Sequence, residues 1–146
     1  MHVSRFILAA LMASSAVAAD AAGTASPASF DALMKKAGAT MQSLQKSVGS
    51  DSYAEVKTQL PVLREALRSS QDLWTSNNVT DAVTLTRDAL ARVDALAGAV
   101  AAQPVDGAAV RSAARDLSTA CSSCHRTYRT TDEDNHFIIR PDALRK

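Results

Sequence analysis

The stretch DGAAVRSAARDLSTACSSCHRTY, residues 106–128, decides the fold. Asp106 has the short acidic side chain that suits a helix N-cap. Beyond it Val110, Ala113, Ala114, Leu117, Cys121, Cys124, His125 and Tyr128 recur at three- and four-residue steps. That period belongs to an amphipathic helix with one buried face. Both cysteines of the chain fall on that face.

The same period occurs three more times toward the N-terminus. Phe30, Leu33, Met34, Ala37, Met41, Leu44 and Val48 mark a first helix, opened by Ser26 as N-cap with Pro27 at the first helical position, and ended by Gly49. Ser52 and Glu55 are spaced as a capping box for a second helix with Tyr53, Val56, Leu60, Leu63 and Leu67 on its apolar face. Pro61 inside it predicts a kink or an interruption near Leu60. Trp74 and the polar Thr75-Ser76-Asn77-Asn78 close that helix. A third starts near Thr80 or Asp81 and runs through Val83, Leu90, Val93, Leu96, Ala97 and Val100, and Pro104 ends the next connection. Four such helices with short links predict an all-α, antiparallel up-down-up-down four-helix bundle whose last helix lies against its first. Composition agrees: five glycines and four prolines in 146 residues argue against a many-turned β sandwich, and the length suits one core.

Cys121-Ser122-Ser123-Cys124-His125 is a C-x-x-C-H string, the sequence mark of covalent haem attachment. Two thiols three residues apart lie on one side of a helical turn and can each add to a vinyl group of one porphyrin. The histidine that follows aims a ring nitrogen at the iron, so one segment sets the ring's position and one axial bond. Other chemistries use the same residues. A thioredoxin-like pair sits at the start of a helix in a βαβ pattern, whereas this one comes late in a helix with no strand before it. A structural zinc site needs four ligands, here Cys121, Cys124, His125 and His136, two of them adjacent in sequence. A Cys121–Cys124 disulfide is the form expected if the chain is made without haem in an oxidising compartment.

The compartment is read from the other end. Met1 to Ala19 carries one basic residue, Arg5, then the apolar run Phe6 to Met12, then Ala16-Val17-Ala18 as a small-residue cleavage site. This is the pattern of a secretory signal peptide, too short for a membrane span; an uncleaved anchor is the alternative. Cleavage after Ala18 or Ala19 starts the mature chain near Asp20, and the small, polar Asp20 to Ala25 is then expected to lack order. Removing Arg5 leaves basic and acidic side chains equal in number, and two haem propionates would make the protein mildly negative. No basic stripe points to nucleic acid. The domain organisation is thus a signal peptide over 1–19, a helical domain over 20–129 and a C-terminal extension over 130–146. Covalent haem addition requires export in bacteria, so signal and attachment motif belong together and place the protein in the periplasm, with no membrane insertion of the mature chain.

At this point the chain resembles a known family, the class II c-type cytochromes: cytochrome c′ and its low-spin, methionine-ligated relatives. Cys121 to Arg129 is similar to the family's C-x-x-C-H-x-x-Y/F-R, and Leu33-Met34-Lys35-Lys36-Ala37-Gly38-Ala39-Thr40-Met41 to its L-M-K-x-x-G-x-x-M. The resemblance implies one covalent haem c, with Cys121 and Cys124 as thioethers, His125 as the proximal ligand and Met34 where low-spin members place the sixth ligand. An antiparallel bundle favours Met34, since it brings the early part of the first helix beside the late part of the last; yet methionine is also a common core filler. The family's arginine corresponds to Arg129, one turn after His125, where a guanidinium can pair with a propionate or stay solvated at the helix end. Lys35 and Lys36 could approach a propionate in the same way.

Two departures from the family stand out. The link between the second and third helices is shorter than the crossover many members carry, and Thr130 to Lys146 extends beyond the motif. In that extension Asp132-Glu133-Asp134-Asn135 reads as a polar turn and His136-Phe137-Ile138-Ile139 as an apolar run, which rarely stays fully exposed. It is expected to fold back on the bundle or to dock on a partner; His136 as a second axial ligand is a further option. The function implied is electron transfer with periplasmic or membrane redox partners. The alternative is a five-coordinate haem protein binding NO or CO, and a haem-free helical protein with a disulfide is a third. No paired carboxylates, phosphate-cradling glycine loop or Ser-His-Asp set is present, so no enzyme is expected. Dimers occur in the family, which leaves a homodimer open.

Overall fold

The structure is a computed structural model and describes residues 27–133 and 136–144. The signal peptide expected over Met1–Ala19, and Ser26 as a cap, lie outside the described residues. Four helices follow one another: α1 (Pro27–Gly49), α2 (Tyr53–Ser76), α3 (Thr80–Ala101) and α4 (Gly107–Tyr128). A short antiparallel hairpin, β1 (Arg129–Thr131) and β2 (Phe137–Ile139), completes the described chain. No helix among the described residues is long and apolar enough to cross a membrane.

Short links make sequential helices antiparallel neighbours, and α1 packs on α2, α2 on α3 and α3 on α4. The α1–α4 contact closes the bundle but is much less extensive. One core joins all four helices through Leu44 and Val48, Val56, Leu60 and Leu63, Val93, Leu96 and Val100, and Val110, Ala114 and Leu117. A second cluster of Trp74, Val79, Ala82 and Tyr128 fills the end where α1 begins and α4 finishes.

Local signals explain the helix ends, with two revisions. Asp106 caps α4 as expected, its carboxylate accepting the N–H groups of Ala108 at 2.8 Å and Ala109 at 3.3 Å. Gly49 ends α1 as expected; Asp51 at φ 54° and Asn78 at φ 57° take the left-handed positions of the first and second turns, both residue types that tolerate this region. The capping box at α2 does not form: Ser52 makes no side-chain cap bond, and the Glu55 carboxylate instead accepts the Ser47 hydroxyl at 2.9 Å, tying α2 to α1. Nor does Pro61 interrupt α2, which runs unbroken past it. The proline is exposed, and the turns on either side are held by buried Val56, Leu60, Leu63 and Ala66.

The Asp51 turn also locks the far end of the bundle. Its carboxylate accepts from the Tyr53 hydroxyl at 2.5 Å and from Arg111 of α4 at 3.1 Å. Gly107 opens α4 where a Cβ would come within 2.7 Å of that same hydroxyl, so a side chain there would push the tyrosine away.

Leu117 is fully buried in the core shared by all four helices. Leu117→Ala is expected to lower unfolding free energy by about 2–5 kcal/mol, and Asp106→Ala by about 1 kcal/mol, both read from urea denaturation. A Leu117→Ala loss no larger than that of Asp106→Ala would mean that this core is not packed as described.

Candidate functional site

Cys121, Cys124, His125 and Arg129 lie at the end of the bundle where α4 finishes. Less than one turn separates Cys121 from Cys124, and both are half-buried free thiols. Cys121 packs against the main core and Cys124 against the Trp74–Tyr128 cluster. Burial pushes the Cys121 thiol up, and burial with the neighbouring Cys121 pushes Cys124 up to about 11. Both are therefore protonated at neutral pH.

His125 follows on the helix, half-buried, with no hydrogen-bond or ion-pair partner among the described residues. Burial first, then the Arg129 charge, holds its pKa below the ordinary 6.5. A neutral imidazole with an uncommitted nitrogen is the form that binds a metal. It lines an open cleft of about 410 Å³ together with residues of the α4 end and the hairpin.

Three aromatic rings frame this end. Phe30 of α1 meets Trp74 edge-on at 5.9 Å, and Trp74 meets Tyr128 at 5.0 Å. Burial, then the Asp81 carboxylate, raises the Tyr128 phenol well above its usual value. Met34 lies one turn after Phe30 on α1 and is half-buried, but unlike Cys124 it is not among the residues packed on the Trp74–Tyr128 cluster, nor on the main core.

Arg129 is not on the helix. α4 ends at Tyr128, and Arg129 begins β1 with extended backbone. Its guanidinium lies over the Phe137 ring, 4.1 Å from the centroid. Beyond it the extension folds back on the bundle, one of the two outcomes expected: Ile139, Ala143 and Leu144 pack on the Trp74–Tyr128 cluster, and the Arg140 N–H donates to the Tyr128 carbonyl at 2.8 Å. His136 lies 3.4 Å from Asp132 within the hairpin turn. Among the described residues no three His, Cys, Asp or Glu side chains converge as a zinc cage requires. Sequence reasoning missed Thr130 and Phe137 as residues lining the cleft with His125, because the hairpin that brings them there has no periodic signal of its own, and it gave no role to Arg126, which follows His125 on α4.

Compared with known proteins, the chain finds no match among family models, curated proteins or solved structures.

The shifted groups set two opposite pH dependences for the protein without a cofactor. Folding holds His125 neutral, so its contribution is present above pH 6.5 and is lost as pH falls through the lower folded value. Folding holds Cys124 protonated, so its contribution is present below pH 9.0 and is lost as pH rises toward about 11. Urea midpoints measured across pH are expected to fall on both sides, with His125→Gln flattening the acid limb and Cys124→Ser the alkaline one. Limbs unchanged in these variants would remove both assignments.

Proposed function

We propose that this chain is a c-type cytochrome of the four-helix, class II kind, an electron carrier of the periplasm with one covalent haem. The observation that carries the reading is the juxtaposition on α4 of two free, half-buried thiols and a neutral, uncommitted imidazole, set against an aromatic cluster at one end of the bundle. The residues fit the group by their chemistry. Neither sulfur is spent on a disulfide, and the seam between α1 and α4 is the least extensively packed, the one that separates at least cost. When bound, the haem iron supplies a one-electron ferric–ferrous couple.

In this reading Cys121 and Cys124 each form a carbon–sulfur bond to a vinyl carbon while the thiol proton goes to the neighbouring carbon, so no oxidant is consumed. His125 and Met34 would be the residues that hold the iron, and a thioether would supply a neutral, soft donor that raises the potential. Arg129 screens a propionate. The cluster of Phe30, Trp74 and Tyr128 keeps water from one side of the site and holds the ends of α1, α2 and α4 rigid, which limits reorganisation. Partners are other redox proteins of the periplasm or its membranes, and export rests on the sequence of residues 1–19. Met34 on α1 weighs for a closed, six-coordinate iron over the gas-binding alternative.

Expression of the full precursor with a cytochrome c maturation system is expected to yield a sharp low-spin ferrous spectrum that carbon monoxide leaves unchanged. A broad high-spin spectrum that shifts with the gas would replace electron transfer by gas binding. Met34→Ala is expected to keep the haem, turn the spectrum high-spin and admit carbon monoxide; an unchanged spectrum removes Met34 from the site. With both Cys121 and Cys124 replaced by alanine, no haem is expected to survive acid–acetone extraction, and haem that remains fixed would overturn the reading.

A further inference from the structure

We propose that the cleft beside His125 is an oxyanion site, in which the guanidiniums of Arg126 and Arg129 hold a carboxylate- or phosphate-type group. The cleft has a volume of about 410 Å³, room for a small anion, and no carboxylate among the described residues lines it. Its wall is formed of the two arginines, the hydroxyls of Ser122, Thr130 and Thr131, the Phe137 ring and His125. The two arginines are donors and the threonine hydroxyls can donate or accept, whereas the Ser122 hydroxyl already donates to the Ser118 carbonyl at 2.9 Å.

Among the described residues no ion pair holds either guanidinium, whereas ion pairs hold Arg64, Arg92, Arg111 and Arg140. Arg126 donates to the Ser123 hydroxyl at 3.1 Å, and Arg129 rests on the Phe137 ring. A guanidinium seated on a ring by its face keeps its N–H groups in the plane and free of that contact. Phe137 thus orients Arg129 without consuming a donor, which gives a purpose to an aromatic side chain left 56% exposed. The acids nearest in sequence, Asp132 and Glu133, follow Thr131 in the turn. Asp132 accepts the His136 N–H at 2.8 Å and faces the His136 imidazole. Two cations and the threonine hydroxyls around one cleft favour bidentate, charge-assisted binding of an oxyanion.

Such a group has two sources. Under the function proposed above it is a haem propionate of this same chain; otherwise it is a free anion from solution. The site itself stands without the cytochrome reading, and only the source depends on it.

The test is a titration of inorganic phosphate at low ionic strength into the full chain, haem-loaded and as the Cys121→Ala/Cys124→Ala variant. Arginine Nε–H resonances and heat of binding are followed together. Saturable shifts confined to Arg126 and Arg129 are expected in the variant, with affinity weakened about tenfold by Arg126→Gln or Arg129→Gln and unaffected by Arg115→Gln. Arg115 is exposed on the same helix and does not line the cleft. Binding lost on haem loading assigns the site to a propionate, and binding kept assigns it to a free anion. Shifts that never saturate, or that Arg115 shares equally, mean general screening of surface charge and overturn the proposal. If no haem attaches to the unaltered chain, the cytochrome reading fails while the phosphate titration still decides the site.

Discussion

Trp74 is the contact on which the site end of the molecule is assembled. It lies at the end of α2, is almost fully buried, and touches Phe30 from the start of α1 and Tyr128 from the end of α4. A four-helix array joined by short turns brings these three chain positions to one end, but only a side chain of this size spans the gap between them. Cys124, Ile139, Ala143 and Leu144 gather around the same cluster. The position of the Cys121–His125 turn and the docking of the tail therefore depend on one indole.

The opposite end is held by a different kind of force. There Asp51, in a left-handed turn, accepts from Tyr53 and Arg111 and fixes the start of α4 against the α1–α2 connection. These groups are exposed, and ion pairs of that kind contribute little to stability; their effect is on register. Between the two ends lies a continuous aliphatic core to which every helix contributes. Only the α1–α4 seam is thin. Met34 and the Cys121–His125 turn belong to the two helices on either side of that seam.

Electrostatics divide this end into an inner and an outer side. Inside, burial keeps the thiols protonated and His125 neutral. Outside, Arg126 and Arg129 face a cleft lined by no acid among the described residues, and the hairpin sets the second of them on Phe137. Positive charge beside the imidazole is one of the causes that keep it neutral and gives the cleft its affinity for negative groups. The tail is thus more than an appendage to the helical domain: it supplies Arg129, Thr130, Thr131 and Phe137 to the wall facing His125.

The helices were legible in the sequence because burial on a helix face imposes a three- and four-residue recurrence that needs no knowledge of partners. Asp106 as a cap, the short links and the inward place of Cys121, Cys124 and Tyr128 follow from that recurrence and from local hydrogen-bonding chemistry. The C-x-x-C-H string was legible for a different reason, since it is a local spacing read without reference to the fold. Tertiary structure decided what depends on neighbours distant in sequence. Glu55 took its bond from Ser47 of α1 instead of capping its own helix, because a hydroxyl on the packed neighbour competed for the carboxylate. Pro61 stayed inside α2, because packing on both sides outweighed one missing N–H. Arg129 left the helix for a strand, because pairing with Phe137–Ile139 and the return of the tail onto Trp74 and Tyr128 offered its backbone other partners. Periodicity reports what one segment buries, and only the assembled chain determines which segment receives it.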